Sequence, residues 1–404
     1  MIPRVPLPPL SAEAELRPLC ERVLANNWRE GYLPDGTHFG YTSPSPRHYP
    51  WQWYWDSCFA AIARRRFDPE RARHELESLL MAATPDGFIG HTIFWDLPLQ
   101  GPRRFTYNVT EQDATMTASI QPPLLAWAWS LAVGDPAQEP RLARHLDWFE
   151  HHRTLDSDGL IWIVQPDESG LDASPQFDPV WRWRAHDLPG FLTLVRRNRR
   201  LRYDLRAVAA SGWPVMCEVL TNVLYSLSRT ALGRPSLTAA LIERCYDERS
   251  GLFRPLVRGG LTARMPVTWT ALAPLALPDL PERIGRRLVE EHLLDPMRFW
   301  LPAGIPSVAA DERSFRHDDR GRFVRRRYWR GPVWVNTAWL IWQGLERLGY
   351  RDHADELARR IAQTVRVAGL REYFDPYDGR GMGQHDFAWS TLALDLVQGA
   401  AGRR

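Results

Sequence analysis

The sequence predicts an all-α protein whose helices pair around a ring, an α/α toroid. Helix-period patterns recur along the whole 404-residue chain. No alternation of strands with helices appears, so a doubly wound sheet is not expected. Four stretches read as Gly followed by a hydrophobic residue and a short extended run: Asp86-Gly87-Phe88-Ile89, Asp158-Gly159-Leu160-Ile161, Ser250-Gly251-Leu252-Phe253 and Ala368-Gly369-Leu370. Gly past a helix end supplies a left-handed cap, and the run after it turns to meet the next helix. An open solenoid would have shorter, more uniform repeats than corners whose glycines lie tens of residues apart.

The elements follow in order. An extended Pro-rich arm, 1–10, precedes a helix over Ser11–Asn27. Helices over Trp55–Arg65 and Pro69–Ala83 follow, the second with Leu76, Leu79 and Leu80 on one face. Thr115–Val133 is helical in pattern, but Gln121-Pro122-Pro123 marks a break, because proline lacks the N–H that continues a helix. Pro136–His152, Tyr203–Leu232, Leu237–Tyr246, the weaker Pro266–Ala276 and Pro281–Leu293 come next. Gly331–Leu348 opens on Gly-Pro and carries the stripe Ala338, Ile341, Trp342, Leu345. His353–Val367 and Phe387–Leu396 complete the set. No linker interrupts them, so a single domain over 1–404 is expected.

Composition narrows the function. The chain has 51 Lys+Arg against 48 Asp+Glu, and every one of those cations is arginine. A formal charge of +3 argues against a dedicated nucleic-acid partner. The clusters Arg64–Arg66, Arg196–Arg206 and Arg325–Arg330 read as solvated surface. No apolar run approaches a membrane span, and the start lacks a signal-like apolar segment, so a cytoplasmic protein without a membrane partner is expected. Asn108-Val-Thr110 fits a glycosylation sequon by chance. Cys20, Cys58, Cys217 and Cys245 are too few and too scattered for a disulfide framework. No metal-ligand motif appears, and no metal or cofactor is expected. Gly379-Arg-Gly381-Met-Gly383 mimics a dinucleotide loop but lacks its spacing and its βαβ setting.

The 19 tryptophans are the unusual feature. Tyr49-Pro50-Trp51-Gln52-Trp53-Tyr54-Trp55-Asp56 sets five large aromatics beside a carboxylate at a helix start. Aromatic rings stack on the apolar faces of sugars, and Asp and Gln bond sugar hydroxyls. Gly170-Leu-Asp172-Ala-Ser-Pro175 reads locally as an Asx turn. Glu372, in Leu370-Arg-Glu-Tyr-Phe-Asp-Pro376, follows a Gly corner among aromatics. Apolar surroundings raise its pKa and the neighbouring arginine lowers it. Gln121 offers an amide before two prolines, and Tyr328-Trp329-Arg-Gly-Pro-Val-Trp334 opens a helix. The corner segments, including Trp162, Asp167, His91 and Trp95, concentrate polar and aromatic side chains. Two carboxylates on separate loops facing one cavity are what glycoside hydrolysis requires.

Together these runs resemble glycoside hydrolase family 63. Gln52–Phe59, Asp86–Ile89 with His91, Gln121–Leu124, Gly170–Pro175, Tyr328–Asn336, and Glu372–Pro376 with Phe387–Trp389 occur in the family's order over about residues 49–390. The resemblance implies an (α/α)6 barrel and an inverting α-glycosidase, with Asp172 as general acid and Glu372 as general base. It implies a sugar subsite of Trp53, Asp56, Gln121 and Trp334, with Trp55 and His91 on the same runs. The chain is similar to compact bacterial members that cleave mannosylglycerate and glucosylglycerate, so a small sugar with an acidic aglycone is the expected substrate. Tyr49, Tyr328 and Trp329 match positions that hold the glycerate. Phe94 stands where some members have Tyr, and Arg206 is the arginine assigned to the glycerate carboxylate. Asp172 is expected to keep its proton in an apolar loop and Glu372 to be ionised.

Three other readings compete. A trehalase or another α-glucosidase would not need a charged aglycone. A catalytically silent sugar-binding toroid would have lost one carboxylate, yet both are present. An isomerase would need paired histidines, whereas His91 and His385 stand apart in sequence. Exposed aromatic loops would suit a homo-oligomer.

Overall fold

The computed structural model describes residues 12–95, 116–182, 188–258, 260–261, 265–317 and 328–401. The expected N-terminal arm, the Asn108–Thr110 sequon and Arg325–Arg327 lie outside these residues. The architecture is helix-rich, and among the described residues no sheet exceeds three strands.

Helix α1 spans Ala12–Asn27. It runs into the hairpin β1 (Trp28–Tyr32) and β2 (His38–Thr42), which pairs Trp28 with Thr42. The two-residue strand β3 (Gln52–Trp53) leads directly into α2, Tyr54–Arg64, which is buried along its whole length. Helix α3, Pro69–Ala82, starts on Asp68, whose carboxylate accepts the Arg71 N–H as a capping bond. Strand β4 (Thr92–Ile93) pairs with β3.

The expected helix Thr115–Val133 shrinks to α4, Leu125–Ala132, because Pro122 and Pro123 end regular hydrogen bonding before it. Helix α5 covers Glu139–His152 behind a single 3₁₀ turn, Pro136–Gln138. The short α6 (Asp178–Trp181) and α7 (Leu188–Arg200) are elements that sequence periodicity did not yield. The expected helix Tyr203–Leu232 is two, α8 (Leu205–Ala210) and α9 (Val219–Ala231), with β5 (Met216–Cys217) between them. Gly212, at φ +79°, and Pro214 separate them.

Helix α10 (Thr238–Cys245) precedes a corner of short strands. These are β6 (Tyr246–Asp247), β7 (Leu252–Phe253), β8 (Leu256–Val257) and β9 (Gly260–Leu261). Pro266–Ala276 proves to be a 3₁₀ helix over Trp269–Ala276, consistent with the proline inside it. Helix α11 (Glu282–Leu288) continues into a π turn, and α12 (Val335–Arg347) and α13 (Arg351–Ala368) follow. The hairpin β10 (Arg371–Phe374) and β11 (Gly381–His385) leads to α14, Leu392–Ala401.

Gly87, Gly159, Gly251 and Gly369 all take positive φ, so the four sequence corners are left-handed turns. Helix α2 packs on α4, α4 on α9, α9 on the Trp269–Ala276 helix, that helix on α12, and α12 on α14, which returns to α2. Helices α1 and α13 lie against α14. The core follows these buried elements and includes Phe59, Leu76, Trp127, Leu224, Trp269 and Trp339. Among the described residues no helix is long and apolar enough to cross a membrane.

Candidate active site

The segment carrying Asp172 is held by an ion pair beneath it. Arg153, just past α5, donates to both Glu168 oxygens at 2.9 and 2.8 Å, and both residues are almost fully buried. Glu168 Oε2 also accepts the Val164 N–H at 2.8 Å. The chain then makes a 3₁₀ turn over Pro166–Ser169 and reverses at Gly170, φ +73°. A side chain at Gly170 would have its Cβ 2.6 Å from the Trp55 ring, so only glycine permits this approach. Ala173 takes φ +60°, a conformation that costs a non-glycine residue on the order of 1–3 kcal/mol.

Between these two left-handed residues Asp172 is displayed at the loop tip with its side chain exposed. This corrects the expectation of an apolar pocket: Leu171 and Ala173 turn inward and leave the carboxyl facing solvent.

Glu372 is placed oppositely. It sits in β10 where the register with β11 is irregular between Arg371 and Tyr373. Its side chain is 1 % exposed. Oε1 accepts the Tyr328 hydroxyl at 2.5 Å and the Tyr49 hydroxyl at 3.4 Å, and Oε2 accepts the Gln384 N–H at 2.9 Å. The close approach of that backbone depends on Gly383, where a Cβ would stand 2.5 Å from Glu372 Oε2.

Burial pushes the Glu372 carboxyl up to about 7, against the Tyr328, Gln384 and Tyr49 hydrogen bonds that favour its charged form. The like charge of Asp172 adds to the rise, so the two carboxyls lie within electrostatic reach. Tyr49 and Tyr328 feel both carboxylates as well. Of the two directions open from sequence, burial decides upward.

The aromatic segment forms the wall beside Glu372. Trp53 meets Tyr49 edge-on at 5.6 Å and His91 at 5.1 Å. Trp53 is only partly buried as a residue, and its Nε1–H is buried with no partner among the described residues. Asp56 lies in the first turn of α2 and is buried; the N-cap is Trp53. Burial, with the Glu372 charge second, drives its carboxyl well above the usual range. A neutral Asp56 can both donate and accept.

Gln121 ties two elements together. Its Oε1 accepts the Trp55 N–H at 2.9 Å, and its Nε2 lies 2.7 Å from His91 Nε2. Since the amide nitrogen can only donate, His91 Nε2 must accept, and the imidazole proton is assigned to Nδ1. Burial depresses His91 to about 3, so the ring stays neutral.

Several expected positions turn out differently. Trp334 does not offer a free face: it stacks on Trp329 at 3.7 Å, and Tyr373 covers its other side at 4.7 Å. Both tryptophans are buried, so they support the site from behind, and Trp55 packs between Trp329 and Trp389 in the same cluster. Phe94 is buried edge-on against Trp51 at 5.3 Å. Arg206 is exposed on α8 and donates to the His151 carbonyl at 3.2 Å, in the last turn of α5. Its amphipathic helix turns it outward, and among the described residues its one hydrogen bond goes to that carbonyl and not to Asp172 or Glu372.

Sequence reasoning also missed two links. Arg330 pairs with Asp178 at 2.5 Å, joining the Tyr328–Trp334 segment to the helix that follows the Asp172 loop. Val333 and Phe374 exchange backbone hydrogen bonds at 2.8 and 2.9 Å, which fixes Trp334 against the Glu372 strand. The Arg-Gly-Pro run hinted at the first; nothing in the residues announced the second.

Comparison with known proteins agrees with this arrangement. The chain is 29% identical to the mannosylglycerate hydrolase of Rubrobacter radiotolerans, over 88% of this chain and 93% of that one. It is 28% identical to the glucosylglycerate hydrolase of Mycolicibacterium hassiacum, over 91% and 96%. Its fold matches the family 63 mannosylglycerate hydrolase of Thermus thermophilus, solved with Tris and D-glycerate. The TM-score is 0.77 with 25% identity, over 95% of this chain and 100% of that one. The pattern of the mannosylglycerate hydrolase MGH1-like glycoside hydrolase domain matches residues 49–235 and 234–390. With this match reaching from Tyr49 past Glu372, the chain belongs to the MGH1-like glycoside hydrolases of family 63 and is a glycosidase.

Proposed function

We propose that this enzyme hydrolyses a small α-glycoside with an acidic aglycone, 2-O-α-mannosylglycerate or glucosylglycerate, to the hexose and glycerate with inversion at the anomeric carbon. The observation that carries the reading is the contrasting setting of two carboxyls within electrostatic reach of each other. Asp172 is exposed on a strained loop, and Glu372 is buried under two tyrosine hydroxyls and a backbone N–H.

In this reading Asp172 gives its proton to the glycosidic oxygen as the C–O bond breaks. Glu372 takes a proton from the water that attacks the anomeric carbon from the opposite face. Its position near 7 suits a base working at neutral pH. Trp53, Asp56 and His91 bind the sugar, and Gln121 fixes the orientation of His91. Tyr49 and Tyr328 hold Glu372 and the water beside it.

The same reading extends to the architecture. The circuit α2, α4, α9, Trp269–Ala276, α12 and α14 is the inner ring of an (α/α)6 barrel, closed where α14 meets α2. One such barrel would form a single domain over 1–404.

A hydrolysis panel of mannosylglycerate, glucosylglycerate, trehalose and kojibiose tests the substrate, with methyl glycosides probing the need for the carboxylate. Turnover confined to the two glycosylglycerates, with none on methyl glycosides, is expected. Trehalose as the preferred substrate overturns the assignment. NMR of the first product anomer tests inversion, and near-normal turnover by Asp172→Asn or Glu372→Gln removes the catalytic pair.

A further inference from the structure

Arg371 and Glu372 are neighbours in β10, and both reach across to β11. They meet the same peptide unit there. Arg371 Nη2 donates to the Gly383 carbonyl at 2.9 Å, and the Gln384 N–H donates to Glu372 Oε2 at 2.9 Å. That carbonyl and that N–H belong to one planar amide, and in a trans peptide they point in opposite directions. The peptide is therefore held from both sides, by a guanidinium at its oxygen and by the carboxyl at its hydrogen.

The glycine run Gly379-Arg-Gly381-Met-Gly383, which imitates a dinucleotide loop in the sequence, clears the space for both contacts. A Cβ at position 381 would run into Arg371 Cγ, and one at 383 would stand 2.5 Å from Glu372 Oε2. Gly383 also takes φ +64°, a left-handed conformation that glycine adopts without strain. The guanidinium is steadied by two further groups of β11. Its Nε lies 3.5 Å from the Met382 carbonyl, and its Nη1 lies 2.7 Å from His385 Nδ1. Behind the strand, the Ser390 hydroxyl donates to the Arg371 carbonyl at 2.5 Å.

We propose that Arg371 is a positioning residue for Glu372, acting through the Gly383–Gln384 peptide: it fixes that amide with its N–H aimed at the carboxyl and strengthens it as a donor. The inference rests on reading Glu372 as the general base. A cation at the carbonyl oxygen polarises the amide, and hydrogen bonds in a chain reinforce one another. Glu372 feels the result directly. Burial lifts its carboxyl to about 7, and after the Tyr328 hydroxyl the Gln384 N–H opposes that rise most. The other groups facing the carboxyl are the Tyr49 hydroxyl and the charge of Asp172, and Asp56 feels Glu372 in turn. His385 is the titratable neighbour of the guanidinium. Loss of Arg371 leaves a weaker donor, a less favoured carboxylate and a base that ionises at higher pH.

The test is Arg371→Met, which keeps a flexible stem beside Gly381 and removes the donors. The acidic limb of kcat/KM should rise by at least about half a pH unit, and well above the limb the rate should return to within about threefold of the unmodified enzyme. The peptide can also be watched by itself. Gly-Gln occurs once in the chain, so labelling glycine at its carbonyl carbon and glutamine at its backbone nitrogen gives one NMR signal for this unit. In Arg371→Met the Gln384 amide proton should exchange with solvent at least about fivefold faster. Slowing by the same factor at every pH means a structural role and overturns the proposal. A limb that moves while the Gln384 amide keeps its exchange rate means a bare charge effect and overturns it too. Glu372→Gln run alongside separates the two readings. If it keeps near-normal turnover, the general-base reading fails; if it is inactive while Arg371→Met changes neither limb nor exchange, only the proposal fails. Should circular dichroism find Arg371→Met unfolded, Arg371→Gln is read the same way.

Discussion

The Tyr328 hydroxyl donates to Glu372 Oε1 at 2.5 Å, and no other hydrogen bond opposes the effect of burial on that carboxyl as strongly. The bond joins the segment before α12 to the β10 hairpin, so residues 44 positions apart in the chain set one acidity together.

Tyr328→Phe removes a donor that favours the carboxylate, so the Glu372 pKa rises further above about 7. The acidic limb of kcat/KM should move up by about one pH unit, with activity lost several-fold at pH 7 and regained at pH 8.5. A pH–rate profile checks it, and an unmoved limb shows that Tyr328 does not act through Glu372.

Glu372→Gln should stabilise the protein in alkali. The folded carboxyl titrates near 7 and the unfolded one near 4.5, so folding is favoured by the protonated form. That contribution is complete below 4.5 and disappears as pH rises through 7. The amide variant should gain about 1–3 kcal/mol at pH 8 and nothing at pH 4, read from melting curves at both. A gain independent of pH would contradict the linkage.

Arg153→Met leaves Glu168 buried without its cation. Urea denaturation should report a loss of about 3–5 kcal/mol, and adding Glu168→Leu should restore part of it. The reason is the unpaired charge, since the pair itself is worth little more than its desolvation cost. A loss under about 1 kcal/mol would mean that Glu168 finds another partner or a proton.

Arg206→Ala should leave KM for mannosylglycerate within about twofold, as expected of an exposed side chain whose hydrogen bond goes to the His151 carbonyl. A tenfold rise would return Arg206 to the aglycone site and require α8 to move.

Much of the helical plan was legible because it depends on local rules. Asp68 before Pro69 gives an N-cap, and the corner glycines take the left-handed conformation their position demands. Helix α7 escaped notice because Arg196, Arg197, Arg199 and Arg200 blur the stripe of Leu194 and Val195. The two carboxyls were legible as residues but not as environments. Asp172 is exposed because of backbone angles at Gly170 and Ala173, and Trp334 is covered because Val333 pairs with Phe374. Both are long-range or conformational facts that residue type does not carry. The setting of Arg206 was illegible for the same reason: the cluster conveyed composition, while the helix decides which way each guanidinium points.

The Trp55 ring lies where any side chain at position 170 would have to stand. The start of α2 and the loop of Asp172 are therefore one unit of variation. A library that enlarges residue 55 moves the loop that carries Asp172, the proposed proton donor, in the same stroke. Directed evolution at position 55 therefore calls for randomising position 170 with it.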